Sequence, residues 1–527
     1  MTAGGMTRRS LLAATAGAMA GGLARPGGAL AALAAPTALG NDAGPVLFER
    51  VVGTLPTGGA ARSINLRRNA DLLGVEWTAP SNAHIQVRFR DHDGRWSEWA
   101  SAAGHGHGPD AAPVTDTLFG DPVWTGGASA VQLRASRQLL GVRLHLIDMS
   151  SGVGARRQAQ AMGPVALAAA LPLATPSLSA GSGQPPIIAR RAWAVGSSHP
   201  RVAPGYGAVR MAFVHHTENP NGYTAGEVPA MLRAIFLFHR DVHGWNDIGY
   251  NFVIDSYGRV FEARAGGIDE PVVGAHAGGY NLVSTGIAVL GTFISAGISS
   301  AAQQTLERLL AWKLSLHGIP AEGMVTVRVN PAGAIYSRFP ANARVSLPRI
   351  AGHRDGDSTD CPGDALYGEL PAIRGSVRRL ASRPARLTLR LATPPAPSGQ
   401  TAPSVNATGE PRVLMGALEL LDGGAGGPPV PGVPVLIQAR SVTRRGEVVQ
   451  ERTIAEAVTN AEGKWSLPVS SRASGGAGMW LRALCSGASG VGAAVSEPLH
   501  VPGVVSVTLA PSTAPAPSSP AASPPAP

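Results

Sequence analysis

Two low-complexity stretches constrain this chain more than any other feature. Residues 150–186 are rich in Ala, Ser, Pro and Gly, and residues 383–411 in Pro, Ser and Thr. Neither carries the apolar periodicity that a buried segment needs, so both read as linkers. A chain of 527 residues already exceeds what one core supports. Cut at the linkers, it becomes three folding blocks, 45–149, 187–382 and 412–510. The last stretch, 511–527, is a Pro/Ser/Ala tail with too little apolar surface to fold.

Residues 1–35 contain the pair Arg8-Arg9, then a run of small apolar residues and Ala-Leu-Ala tripeptides, the layout of a twin-arginine export signal. Met6 offers a second start. The mature chain is therefore expected to be extracellular or associated with the cell envelope. Beyond the signal no stretch is long and apolar enough to span a bilayer. Lys plus Arg number 44 against 34 Asp plus Glu, a formal charge of +10 that favours acidic partners. No dense Lys/Arg block with interleaved aromatics occurs. Nucleic acid is accordingly set aside, and anionic cell-wall polymers are the expected acidic partner.

The first and third blocks alternate in polarity. HIQVRF and VQLRA in the first, and VPVLIQARS and MWLRALC in the third, predict two all-β sandwiches, the second loosely immunoglobulin-like. The first block also contains HGHG at 105–108, read as a solvated glycine-rich loop rather than a metal site. The middle block mixes periods. MAFVHH reads as a buried strand. Val228, Met231, Leu232, Ile235 and His239 fall on one helical face that ends at Gly244, with Pro229 placing the helix start near Val228. YNFVIDSYGRVFEAR reads as a hairpin turning at Gly258, and IAVLGTF as a further strand. A second helix is expected from Ser300, with Gln303 at capping-box spacing, to Gly318, burying Leu306, Leu309, Leu310 and Leu314. This alternation predicts a central α/β domain, a mixed β-sheet flanked by helices, between two sandwich-like domains.

Eight of the fourteen histidines lie between His199 and His353, so the titratable chemistry concentrates in the middle block. That block also holds Cys361, one of two cysteines in the chain, in the polar loop AGHRDGDSTDCPG. A hydrolytic zinc site needs three protein ligands and an open position for water. His215 at the end of MAFVHH, with His353 and Cys361 from one later loop, would supply two imidazoles and a thiolate. The spacing of His353 and Cys361 alone does not specify a site, and no HExxH helix is present. A disulfide between Cys361 and Cys485 is the rival account. Cys485 by itself reads as a small core residue.

The motifs FVHHT, GWNDIGYNFVID, GRVFEARAGG, GAHAGGYN, STGIAVLGTF and GHRDGDSTDCPG occur in the order found in peptidoglycan recognition proteins and zinc-dependent type 2 N-acetylmuramoyl-L-alanine amidases. PPIIARRAWA is similar to the segment that opens their domain. The resemblance covers about a third of the chain. It implies one zinc per chain, held by His215, His353 and Cys361. It also implies hydrolysis of the amide joining the lactyl group of muramic acid to L-alanine in peptidoglycan. Tyr250 and Thr359 match catalytic positions that would donate hydrogen bonds to the developing oxyanion. Gly244, Trp245 and Arg264 match members that prefer meso-diaminopimelate, whose extra carboxylate Arg264 would grip with two parallel hydrogen bonds. The resemblance places His276 and Asn281 along the substrate groove.

Each of these residues has a local alternative. His276 serves equally well as a buried turn residue, Asn281 as a turn former, Arg264 as a partner of Glu262 and Trp245 as packing for the helix end. His216 faces away from His215 and packs the strand. His239 reads as a core histidine, and His317 as a dipole contact at a helix C-terminus. Two functions compete: an exported zinc amidase, and a protein that binds peptidoglycan or anchors to the envelope without cleaving it. Binding-only members tend to lack the metal cysteine, so Cys361 together with Tyr250 favours the enzyme.

Overall fold

The structure is a computed structural model that describes most of residues 44–149 and 184–507. The expected export signal at 1–35, nearly all of the first linker and the 511–527 tail lie outside the described residues.

The N-terminal block forms seven strands: β1 Val46–Leu55, β2 Arg62–Thr78, β3 Ile85–Arg90, β4 Ala100–Ser101, β5 Thr117–Phe119, β6 Val123–Ala135 and β7 Leu139–Asp148. They pair in the order β1-β7-β2-β6-β3-β4, with β5 on β2. The expected pair of stacked sheets is thus one connected sheet. Register slips between β2 and β6 after Asn65 and again after Ala70, and such bulges bend a strand. The sheet thereby gathers Leu55, Leu73, Val75, Trp77, Val87, Leu133 and Leu146 into a single core. β3 keeps the alternation visible in the sequence, burying Ile85, Val87 and Phe89.

The central block contributes β8 Ile187–Ile188, β9 Met211–His216, β10 Phe252–Ile254, β11 Val260–Glu262, β12 Ser284–Val289, β13 Met324–Arg328, β14 Arg344–Pro348 and β15 Ile350–Gly352. Its helices are α1 Val228–Leu237, α2 Ser300–Leu316, the single turn α3 His353–Gly356, and α4 Asp364–Leu380. Six strands form a mixed sheet in the order β15-β9-β12-β10-β11-β8, and β13 and β14 make a separate hairpin. Neighbours from β15 to β10 are parallel, and β11 runs against β10. Ala212, Val214, Ile287 and Val289 pack beneath α2 and α4 through Leu306, Leu309, Leu310, Leu366 and Ile373. Val253 and Ala288, on the opposite face, pack against α1 through Val228, Met231, Leu232 and Ile235.

The helix ends follow local chemistry. α1 carries Pro229 in its first turn, and the Glu227 carboxylate reaches back to the Thr224 amide at 2.7 Å. It continues into a π-turn at Phe238–Val242, and Gly244, with φ of +74°, lets the chain leave. The cap of α2 is Ser299, one residue ahead of the expected start, accepting the Ala302 amide at 3.1 Å. Gln303 donates instead to Glu307, one turn further on.

The C-terminal block is a sandwich of two five-stranded sheets around Leu414, Leu418, Val435, Ile437, Trp465, Leu481 and Cys485. Ala385–Leu387 and Arg390–Ala392, expected inside the 383–411 linker, are strands paired with Glu410–Leu420. Each is three residues long, too short to show a period among prolines. Cys361 and Cys485 are both free, which removes the disulfide alternative. No helix among the described residues is long and apolar enough to cross a membrane.

Candidate metal centre

Strand register assembles the cluster. β15 and β9 are parallel neighbours with Gly352 opposite Val214, so His353, the next residue, arrives level with His215. Both stand at carboxyl ends of parallel strands, where crevices open in such sheets. Cys361 returns on the loop between α3 and α4, its sulfur accepting the His216 amide at 3.4 Å. One donor atom from each of His215, His353 and Cys361 lies within 4.8 Å of the other two. All three side chains are buried.

The outer nitrogens of both imidazoles are engaged. His215 Nε2 lies 3.1 Å from His276 Nδ1, and His353 Nε2 lies 2.9 Å from Asp357. Asp357 is itself held by the Gly278 amide at 2.9 Å. Outer contacts of this kind orient imidazoles toward a metal. Burial, reinforced by His353 and His276, holds His215 well below its ordinary value, and burial pushes the Cys361 thiol well up. His215 therefore offers a neutral lone pair, and the Cys361 thiol needs a neighbouring cation to ionise. That donor set fits zinc.

Tyr250 is buried with its ring 5.5 Å from that of His215. Burial, and secondarily Asp121, pushes its hydroxyl well above the usual range, so it remains a hydrogen-bond donor. Thr359 Oγ1 accepts the Cys361 amide at 3.1 Å and so shapes the cysteine loop. It also lines a recess of about 280 Å³ with Arg338, Arg354 and Asp357. The larger cleft, about 770 Å³, lies between the central and C-terminal domains and holds none of the candidate residues.

The residues assigned to substrate divide. Gly244 is exposed at the end of the π-turn, and Trp245 stacks on His239 at 4.5 Å. Arg264 is buried and donates to the Ile248 carbonyl at 2.8 Å, while Glu262 is taken by the Arg190 amide. His276 is fully buried behind His215. Asn281 accepts the amides of His276 and Ala277 through Oδ1. His239 accepts the Gly249 amide and His216 the Phe293 amide, both as structural residues. Burial keeps the His317 imidazole well below its ordinary value, so the expected charge–dipole contact is absent.

Three contributors were not legible. His107, from the supposedly solvated HGHG loop, is buried with its ring 5.4 Å from Trp245, 5.7 Å from His353 and 5.9 Å from Tyr250. His105 lies outside the described residues. Asp110, three residues further along, accepts from Asn281 Nδ2 at 2.8 Å. Glu218 is buried in the left-handed region at φ of +54°, its carboxyl pushed up to about 8 by burial. A histidine between glycines was the available signal for His107, but its ring partners Trp245, Tyr250 and His353 lie more than a hundred residues away in sequence.

A mixed sheet with two imidazoles at the carboxyl ends of neighbouring strands and a thiol on the following loop defines an α/β domain with a His-His-Cys cluster able to hold a metal. Comparison with known proteins gives that class a family. Residues 205–364 match the family described as N-acetylmuramoyl-L-alanine amidase, and residues 36–168 match one described as Rv3811 N-terminal galactose-binding domain-like. Peptidoglycan-recognition protein SC2 of Drosophila simulans is 31% identical over 159 residues, covering 30% of this chain and 71% of that protein. The N-acetylmuramoyl-L-alanine amidase of Homo sapiens is 32% identical over 182 residues, of which this chain spans only 26% of the relative's length. Among solved structures, Drosophila PGRP-LB aligns at 26% identity over 35% of this chain and 92% of that one, with a TM-score of 0.27. The chain belongs to the family of peptidoglycan recognition proteins and type 2 N-acetylmuramoyl-L-alanine amidases.

Proposed function

We propose that this chain is an exported zinc amidase that hydrolyses the lactyl–L-alanine amide of peptidoglycan of the meso-diaminopimelate type. The observation that carries the reading is the buried cluster of His215, His353 and Cys361 with Tyr250 against it. A surface that only binds glycopeptide has no use for a thiol and two imidazoles held by outer contacts.

Bound zinc would supply Lewis-acid polarisation of the scissile carbonyl and a water of lowered pKa. His276 and Asp357 hold the two imidazoles in place for it. Tyr250, kept protonated by burial, donates to the carbonyl oxygen as negative charge develops. Thr359 anchors the Cys361 amide and keeps its own hydrogen for the same oxygen. Arg264, with one guanidinium nitrogen fixed on Ile248, offers its remaining donors to the extra carboxylate of diaminopimelate. The +10 charge supports retention on anionic wall polymers, and Arg8-Arg9 supports export.

Digestion of purified diaminopimelate-type sacculi by the zinc-loaded protein should release stem peptides free of muramic acid, read by mass spectrometry. Intact glycopeptides at full zinc occupancy would replace this reading with peptidoglycan binding alone. Tyr250→Phe should retain zinc and lose ~10²–10³ in kcat, the usual cost of one oxyanion donor. Unchanged turnover in the metal-replete variant would remove Tyr250 from the chemistry.

A further inference from the structure

A centre that cuts a polymer has to be reached by it, yet in this conformation the cluster, Tyr250, Trp245, Arg264 and Asn281 are all buried. Part of what covers them, among the described residues, comes from the N-terminal domain. The imidazole of His107 lies over Trp245, Tyr250 and His353. Beside it, Asp110 Oδ1 accepts the Gly279 amide at 3.0 Å and Asn281 Nδ2 at 2.8 Å, and Asp110 Oδ2 accepts Asn330 Nδ2 at 2.8 Å. The Gly108 carbonyl takes a second contact from Asn281 Nδ2 at 2.9 Å. The fit is close: a Cβ on Gly333 would stand 2.6 Å from the Asp110 carboxylate, and one on Gly108 would stand 2.8 Å from the Tyr336 hydroxyl.

The donors gathered on Asp110 are a backbone amide and two side-chain amides, with the Asp357 carboxyl, on the neighbouring Gly278 amide, as the nearby acid. Such a set receives a carboxylate well. A stem peptide ending in diaminopimelate is itself an acidic peptide. Asp110 therefore occupies, by its charge and its donors, the place of a substrate carboxylate.

We propose that His107–Asp110 is an intramolecular competitor for the stem peptide, with Asp110 filling a carboxylate subsite made by Gly279, Asn281 and Asn330, and that substrate enters only when this segment withdraws. The proposal rests on the amidase reading for the identity of the substrate. The domain that carries the segment has a separate attachment. Leu72, Trp124 and Ile147 belong to the same apolar cluster as α1, and the Trp124 amide donates to Asn219 at 2.7 Å. The polar latch exchanges its hydrogen bonds with water at little cost, whereas the apolar seat does not. The segment can thus leave while the domain stays.

The test uses the full chain in a Cys485→Ser background, so that Cys361 is the only thiol. Alkylation of Cys361 by iodoacetamide is timed in metal-stripped protein. Affinity of the zinc-loaded protein for the tripeptide L-Ala-γ-D-Glu-meso-diaminopimelate is measured by calorimetry. If the closed form makes up about nine-tenths of the population, Asp110→Ala should raise both the alkylation rate and the affinity about tenfold, because apparent affinity scales with the open fraction. His107→Ala should raise the alkylation rate in the same direction, and Asp110→Asn should fall between wild type and Asp110→Ala. An unchanged thermal midpoint shows that each variant is folded. Alkylation and affinity equal to wild type in both Asp110→Ala and His107→Ala would overturn the proposal. Faster alkylation and tighter tripeptide binding without hydrolysis by any variant would keep the competitor and end the amidase reading. Hydrolysis with no change in alkylation would do the reverse.

Discussion

The two flanking domains meet the central domain through different mixtures of apolar and polar contact. The N-terminal domain sits on an apolar seat: Trp124, Leu72 and Ile147 against α1, with Phe119 4.6 Å from His243 and Gly74 pressed so close to Phe238 that a Cβ there would overlap the ring. The C-terminal domain is tied through buried charge. Arg440 pairs with Asp269 at 2.8 Å and with Glu270 at 2.5 Å, and Arg482 pairs with Asp269. Lys313 of α2 donates to the carbonyls of Ile268 and Glu270 in the same knot. Burial opposes ionisation of Asp269, but Arg482 and Arg440 hold it well below the usual carboxylate range. Apolar contact is non-directional and tolerates small shifts, whereas buried ion pairs demand one geometry. On the proposal above, the segment over the site withdraws while the apolar seat stays in place, and the C-terminal domain is held by buried charge.

Breaking each seat in turn should show the difference. Trp124→Ala and Asp269→Ala should each destabilise the protein by about 3–5 kcal/mol in denaturant melts, the first by leaving a cavity and the second by stranding buried arginines. Only Trp124→Ala should also speed alkylation of Cys361. Equal acceleration by Asp269→Ala would mean that the two interfaces act on the site alike.

Arg264 sharpens the comparison at the level of substrate. Arg264→Ala should cost roughly 1.5–3 kcal/mol in kcat/KM on diaminopimelate fragments, the range for a charged hydrogen bond, and little on lysine fragments. Equal losses on both would assign Arg264 to structure alone, through its bond to Ile248.

The charged interface should also show a pH slope in stability. Burial lowers the Lys313 ammonium from 10.5 to about 7, against the pull of Asp269 and Glu270. Between those values the unfolded chain binds more protons than the folded one. The strain of burying this lysine is therefore full below about 7, and stability rises with pH from about 7 to 10.5. The thermal midpoint of wild type should gain on that of Lys313→Met across this window. Parallel curves would show that Lys313 does not titrate there.

Local pattern carried much of the fold. MAFVHH, the hairpin at Gly258 and the leucine stripe of α2 form as their periods predict, because each is decided by residues close in sequence. The three metal candidates come from motif order, and parallel register explains why His215 and His353, far apart in sequence, come level. What stayed hidden was set by long-range contact. HGHG shows glycines suited to a loop, but nothing near it announces the groove that buries His107. His276 stands in a groove motif yet turns inward to His215. The short strands at 385–392 acquire their structure only by pairing with Glu410–Leu420.

The zinc-amidase proposal stands or falls with His215, His353 and Cys361 holding one zinc per chain. Zinc content per folded chain, measured by mass spectrometry on purified wild type and Cys361→Ser, tests it most directly. Wild type should carry one zinc and the variant far less, with far-UV circular dichroism unchanged. Full zinc retention by Cys361→Ser, or a wild type that takes up none, would contradict it.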